Sequence, residues 1–236
     1  MQEKGFDQDQ FYSNIVIENS GMGVTATVTA YADTSDIAKI AALVFLGRMT
    51  DILILDNNIP LVLQASEDRA HYTKKFSTRR LLDKKDVIAA FNLARFLENE
   101  HPTLLKAIGW YAKGKTSNNT LDSFLAFWNA IEITATTYHT KTERTKHGTI
   151  NKIHQCFIDY FGEPQYWDVP ERWIKEMHDR RSRIAHGAEE TTAEAINEVS
   201  LLIPKLADIS RKLINEVLES EYGYDVFDLS RGIAEF

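Results

Sequence analysis

The stretch RRSRIAHG, Arg180 to Gly187, places three arginines and a histidine within seven residues and then stops on glycine. Arginine carries a planar fork of donors that matches phosphate oxygens, and histidine exchanges protons near neutral pH. Side by side they can hold a phosphoryl group and move a proton next to it. A solvated helix end closed by a glycine cap uses the same residue types with no chemistry at all. The choice turns on what the rest of the chain brings to them.

Helical angles point to one partner. In the segment from Asn119 to His139, Leu121, Phe124, Leu125, Trp128, Ile131 and Ala135 form an apolar stripe at about 100° per residue, and Glu132 falls inside it. In the segment from Pro170 to Ala185, Trp173, Ile174, Met177 and Ile184 form the stripe, and Arg181 falls inside that one. A lone charge on a core-facing stripe costs several kcal/mol, of the order seen for unpaired buried ions, so Glu132 and Arg181 are expected to meet. The pair is either structural or a device that holds Arg181 in place. His186 would point about 140° away from Arg181 on a continued helix. Gly187 can adopt positive φ and end the helix there, which would let the imidazole turn toward Arg181. A histidine that simply caps the last carbonyls is the alternative.

The elements that must carry these residues are mostly helices. Regular apolar spacing predicts helices over 34–53, 83–102, 102–114, 117–140, 148–162, 168–185 and 191–220. Asn119 or Thr120 should cap the fourth, Asp168 the sixth with Pro170 in its first turn, and Pro204 should kink the last. Ahead of the helical body, FYSNIVIE and VTATVTAYA flank the turn signal NSGMG and predict a hairpin. IPLVLQA, with Pro60 at its start, predicts a further strand. The fold class is therefore α+β, a mainly helical bundle preceded by a small N-terminal β-β-α-β layer. The layer takes residues 1–66, the helical domain 84–220 and an irregular tail 221–236.

Composition sets limits. The chain has 236 residues, 44% hydrophobic and 26% charged, with a formal net charge of −7. An acidic balance argues against broad, charge-driven DNA binding but leaves room for a local anion site. Charge is uneven: Arg69 to Lys85 is a basic run that reads as a solvated connector, and acidic residues gather around Glu189–Glu198. The single cysteine, Cys156, sits among Ile153, Phe157 and Ile158 and reads as a buried, inert thiol. No apolar leader and no membrane-length apolar run are visible, so a cytoplasmic protein with no membrane partner is expected. His139, His147 and His154 lack the spacing of a zinc site, and neither a phosphate-loop nor a dinucleotide fingerprint is present. No metal and no cofactor is expected. Trp110 and Tyr111 could stack on a base, with core packing as the alternative.

RSRIAHG resembles the Arg-polar-x3-His motif of the HEPN superfamily (higher eukaryotes and prokaryotes nucleotide-binding domains). Arg181 matches the motif arginine, Ser182 the polar residue after it, and His186 the histidine. FLAFWNAIEI is similar to the aromatic-rich helix ending in an acidic residue of the ApeA-like branch, and IAHG to its motif ending. The likeness spans about residues 84–220 and leaves the N-terminal layer unaccounted for. It implies an all-α bundle, usually a homodimer whose two motifs face one cleft. Many such domains are metal-independent endoribonucleases, and others have lost catalysis and serve as binding or assembly modules.

In the enzymatic reading RNA supplies its own nucleophile, the 2′-OH. The protein then needs a proton-transferring group, His186, and a cation for charge developing on phosphorus, Arg181. Glu132 would orient Arg181. Ser182 would donate to a phosphate oxygen, and Arg180 and Arg183 would add charge at the rim, a solvated surface being the alternative for each. Products would carry a 2′,3′-cyclic phosphate. Two rivals stand beside this: a non-catalytic HEPN module for dimerisation or docking, and a nucleotide-binding regulator. The partner is RNA or a nucleotide, with a regulatory or antitoxin partner left unidentified.

Overall fold

The computed structural model describes residues 14–20, 23–29, 34–63, 82, 84–189 and 192–223. Two strands, β1 (Asn14–Ser20) and β2 (Gly23–Thr29), pair antiparallel with Ile15 opposite Val28 and Ile17 opposite Ala26. That register turns Ile15, Ile17, Ala26 and Val28 to one face, where they meet the helices, and leaves Val16, Thr25 and Thr27 exposed. Seven α-helices follow among the described residues: α1 (Ser35–Asn57), α2 (Lys84–Glu100), α3 (Pro102–Thr116), α4 (Thr120–Tyr138), α5 (Thr149–Phe161), α6 (Trp173–Ala185) and α7 (Ala193–Tyr222). The architecture is mainly α-helical with a two-stranded sheet, in line with an α+β class.

Two expectations need correction. Residues 58–63 form no strand, and the sheet has two strands among the described residues. Asn58 takes a positive φ of 52° at the end of α1, Pro60 has no N–H to donate, and Leu61 and Leu63 lie over α1 and α3 instead. Asp168 does not cap α6, which begins at Trp173; its carboxylate accepts from Lys205 and Lys212 of α7. Those hydrogen bonds hold the Asp168 carboxyl below the usual aspartate range. Among the described side chains of α1, Phe45, Leu46, Met49 and Ile52–Leu55 are buried, while Ile40 and Val44 are exposed. Of the basic run 69–85, residues 69–81 and 83 lie outside the described residues, as do residues 224–236 of the tail, and α7 runs unbroken through Pro204.

The helix α4 is the centre of the bundle and packs against α3, α5, α6 and α7. Beyond the stripe through Phe124, Phe127, Trp128, Ile131 and Ala135 it also buries Ala126 and Ala130 round a second side, so its covered face is wider than the expected stripe. Asn119 caps it as expected, its side-chain oxygen accepting from the Leu121 and Asp122 amides at 2.9 and 3.1 Å. The close approach of α3 to α4 depends on Gly114: a Cβ there would lie 2.7 Å from the Phe127 ring. The Ser123 hydroxyl donates to the Gly114 carbonyl at 3.1 Å across the same contact. Cys156 is fully buried, and burial pushes its thiol far above the ordinary range, so it is not a ready nucleophile.

The N-terminal helix belongs to the same core as the body. Arg211 of α7 donates from Nε to the Leu55 carbonyl and from Nη2 to the Asp56 carbonyl, both at 2.7 Å, and so satisfies the orphan carbonyls that end α1. Arg48 of α1 pairs with Glu98 of α2. The Tyr111 hydroxyl of α3 donates to Asn58 Oδ1 at 2.7 Å. Tyr111 is completely buried, which removes it as a base-stacking candidate.

Candidate functional site

The site lies on the seam between α4 and α6. Arg181 Nε comes 3.9 Å from Glu132 Oε2, an ion-pair distance between the two residues that helical angles place on facing stripes. The same oxygen accepts a hydrogen bond from the Trp128 indole N–H at 3.0 Å, one turn earlier on α4. The indole is fully buried and cannot swing, so Glu132 is held from its own helix while it faces Arg181. Both charged side chains are about a quarter to a third exposed, 26% for Glu132 and 30% for Arg181. The stripes therefore misjudge depth: the pair sits at the margin of the core, where a cation can reach a ligand. Arg181 Nε is shut off from solvent with no hydrogen-bond partner, whereas the terminal guanidinium nitrogens remain open.

The end of α6 follows from Gly187. The residue adopts φ +69°, the left-handed region that glycine enters without strain, and its N–H donates to the Ile184 carbonyl at 3.2 Å. His186 is the last capping residue, its N–H donating to the Ser182 carbonyl at 3.1 Å. The imidazole is exposed and makes no hydrogen bond or ion pair with the described residues. Ser182 lies half-buried on the last turn.

Arg180 and Arg183 have a different fate. The chain reversal after Gly187 carries Glu189 back onto α6, where its amide and that of Ala188 donate to the Arg183 carbonyl. The Glu189 carboxylate is only 6% exposed and joins both arginines, Oε1 to Arg180 Nη1 and Oε2 to Arg183 Nε at 2.9 Å. Arg180 also reaches Glu198 of α7 at 3.5 Å. Burial alone would raise the Glu189 carboxyl; hydrogen bonds from Arg183 and Arg180 outweigh it and hold the group below the ordinary glutamate range. A concavity of about 380 Å³ opens here, lined by both arginines but also by Glu189, Glu194 and Glu198. Three carboxylates against two guanidiniums make it a poor phosphate site as it stands.

Three residues escaped sequence reasoning. His178 sits one turn before Arg181, its ring edge-on to Trp128 at 6.1 Å and 68°. Its spacing of three from Arg181 on α6 is the signal that could have found it. The Trp128 N–H was hidden because the residue reads as plain core, although Trp128 and Glu132 are four apart. Glu189 left no usable signal, because its direction depends on how the chain leaves Gly187. Elsewhere His154 Nε2 meets Glu171 at 2.7 Å and His139 Nδ1 meets the Ala135 carbonyl at 2.8 Å, so both have structural partners. No cluster of His, Cys, Asp or Glu among the described residues could hold a metal. No described helix is long and apolar enough to cross a membrane.

A second concavity, about 280 Å³, lies between α1 and α3. Asp51 lines it with Thr50, Lys113 and Thr116, and burial pushes the Asp51 carboxyl up to about 6. It lies in a different part of the molecule from the α4–α6 seam. Comparison with protein-family models, curated proteins and solved structures finds no match to this chain.

Proposed function

We propose that this chain is an RNA-handling protein of the HEPN type, a metal-independent endoribonuclease whose phosphate site is Arg181 with His186, supported by Glu132. One observation carries the reading: Glu132 stands at ion-pair range, 3.9 Å, behind Arg181 Nε while the terminal nitrogens stay open, beside a helix end that leaves an uncommitted imidazole. A guanidinium held from behind and open in front is pre-organised for a phosphate oxygen and for charge that grows on phosphorus. A base takes the proton of the 2′-OH, O2′ attacks phosphorus, the P–O5′ bond breaks, and a protonated group returns a proton to O5′. An imidazole serves either proton transfer near neutral pH. Ser182, beside Arg181, adds a hydroxyl donor. The reading includes a homodimer that brings two such sites to one cleft and a cytoplasmic location.

The test is cleavage of a mixed RNA pool by the full chain in excess EDTA, beside His186→Ala. Cleavage by the wild type alone, leaving 2′,3′-cyclic phosphate ends, is expected. Cleavage that needs added metal, or that survives in the variant, sinks the reading.

The engagement of Arg180 and Arg183 by Glu189 favours a second reading, a non-catalytic HEPN module, since it removes the rim charge a nuclease would use to hold RNA. Stabilisation of the protein by nucleotides without any loss of RNA would support a binding role instead.

A further inference from the structure

The α4–α6 seam holds a second imidazole that the motif does not contain. His178 and Arg181 are one helical turn apart on α6, and both face α4. Side chains three apart on a helix are neighbours, with about 5–6 Å between their Cβ atoms. Neither side chain is satisfied by the protein. His178 Nδ1 and Arg181 Nε are both shut off from solvent without a hydrogen-bond partner. The nearest charged oxygen to His178 is Asp179 Oδ1, at 3.8 Å from Nδ1, too long for a hydrogen bond. The other edge of the ring, Nε2, makes no hydrogen bond and stays open, with the side chain 29% exposed.

One indole stands behind both groups, directly for His178 and through Glu132 for Arg181. Trp128 donates to Glu132, which faces Arg181, and the same ring system bears on His178 edge-on. Such shared support is what a ligand-binding pair needs, because donors locked in place lose little entropy on binding. The neighbouring cations contrast with it: Arg180 and Arg183 are already matched by carboxylates. Of the two imidazoles near Arg181, His178 is packed within the helix, while His186 sits exposed beyond its last turn.

We propose that His178 is a ligand-contacting residue of the Arg181 site, presenting its Nε2 edge to the phosphoryl group that Arg181 holds. The inference rests on the reading of Arg181 as a phosphate ligand and adds a donor to it. Asp179 is the charged group nearest the His178 ring, and Arg181, one turn on, carries the Glu132 carboxylate of α4 beside it.

The experiment is a titration of the full chain with adenosine 3′-monophosphate at fixed pH, followed through the imidazole nitrogens by long-range proton–nitrogen NMR. The His178 signals are assigned by their loss in His178→Gln or His178→Asn. Saturable movement of the His178 ring signals is expected, absent in Arg181→Gln. A Kd weaker by at least about tenfold in His178→Gln is expected too, the scale of one lost hydrogen bond to a charged group, with Tm held within about 2 °C. Arg181-dependent binding that leaves the His178 signals still, with affinity unchanged in His178→Gln, overturns the role of His178 and leaves the phosphate site standing. Wild type that binds no nucleotide overturns the phosphate site itself. Should the variants unfold, the wild-type titration decides alone, with the His178 signal identified through its contact with the Trp128 ring.

Discussion

Arg181 and its neighbours Arg180 and Arg183 share one helical turn and live in opposite surroundings. Arg180 and Arg183 point to the corner where α6 meets the start of α7, and Glu189 and Glu198 neutralise them. Arg181, about 100° round the helix from Arg180, points to α4, where a single carboxylate holds it at 3.9 Å. A run of arginines is therefore not a basic patch. The helix deals alternate residues to different neighbours, and those neighbours decide which cation is spent on structure and which is kept for a ligand.

The largest effect should come from the open cation. Arg181→Ala is expected to lower RNA cleavage by about 100-fold or more, near 3 kcal/mol of barrier, the scale of losing one donor to developing charge. Arg180→Ala should change the rate less than about threefold. Initial rates on one RNA compare the two directly, and equal losses would erase the distinction between the regions.

Next in size is the corner. Glu189→Gln leaves two guanidiniums facing a neutral amide and should cost about 1–2 kcal/mol at pH 7, discounted for solvent around Arg183. The folded Glu189 carboxyl lies below its unfolded value, so its contribution is present above the ordinary glutamate pKa, about 4.3. It is lost as pH falls through the lower folded value. Denaturant melts of wild type and variant should thus diverge at pH 7 and converge toward pH 3. A gap that persists in acid would mean the ion pairs are not its cause.

The smallest stability effect belongs to the seam. Glu132→Gln keeps an acceptor for the Trp128 N–H and removes charge from a partly exposed pair, so the fold should lose under about 1 kcal/mol. Cleavage should fall about three- to tenfold as Arg181 loosens, a modest loss compared with removing the cation itself. A loss of several kcal/mol in stability with unchanged cleavage would recast the pair as purely structural.

Much of the scaffold was readable in advance for a local reason. Asn119 caps α4 with its own side chain, and Gly187 ends α6 through its own φ, so each signal depends on residues a few positions away. Glu132 and Arg181 were paired from angles because each helix carries its own frame. The errors share a different cause. Asp168 looked like a cap, yet lysines of α7, 37 and 44 residues on, claim it. IPLVLQA had strand composition, yet residues 58–63 found no strand to pair with and settled over two helices.

By itself the sequence determined roughly where the helices run, where α4 begins and α6 ends, and which faces Arg181 and Glu132 present, since turn geometry and capping are settled within a few residues. Tertiary structure alone decided how deep that pair sits, that the Trp128 indole braces it, and that Glu189 folds back to neutralise Arg180 and Arg183. Those outcomes depend on where other helices lie and how the chain leaves Gly187, distances that no local pattern encodes.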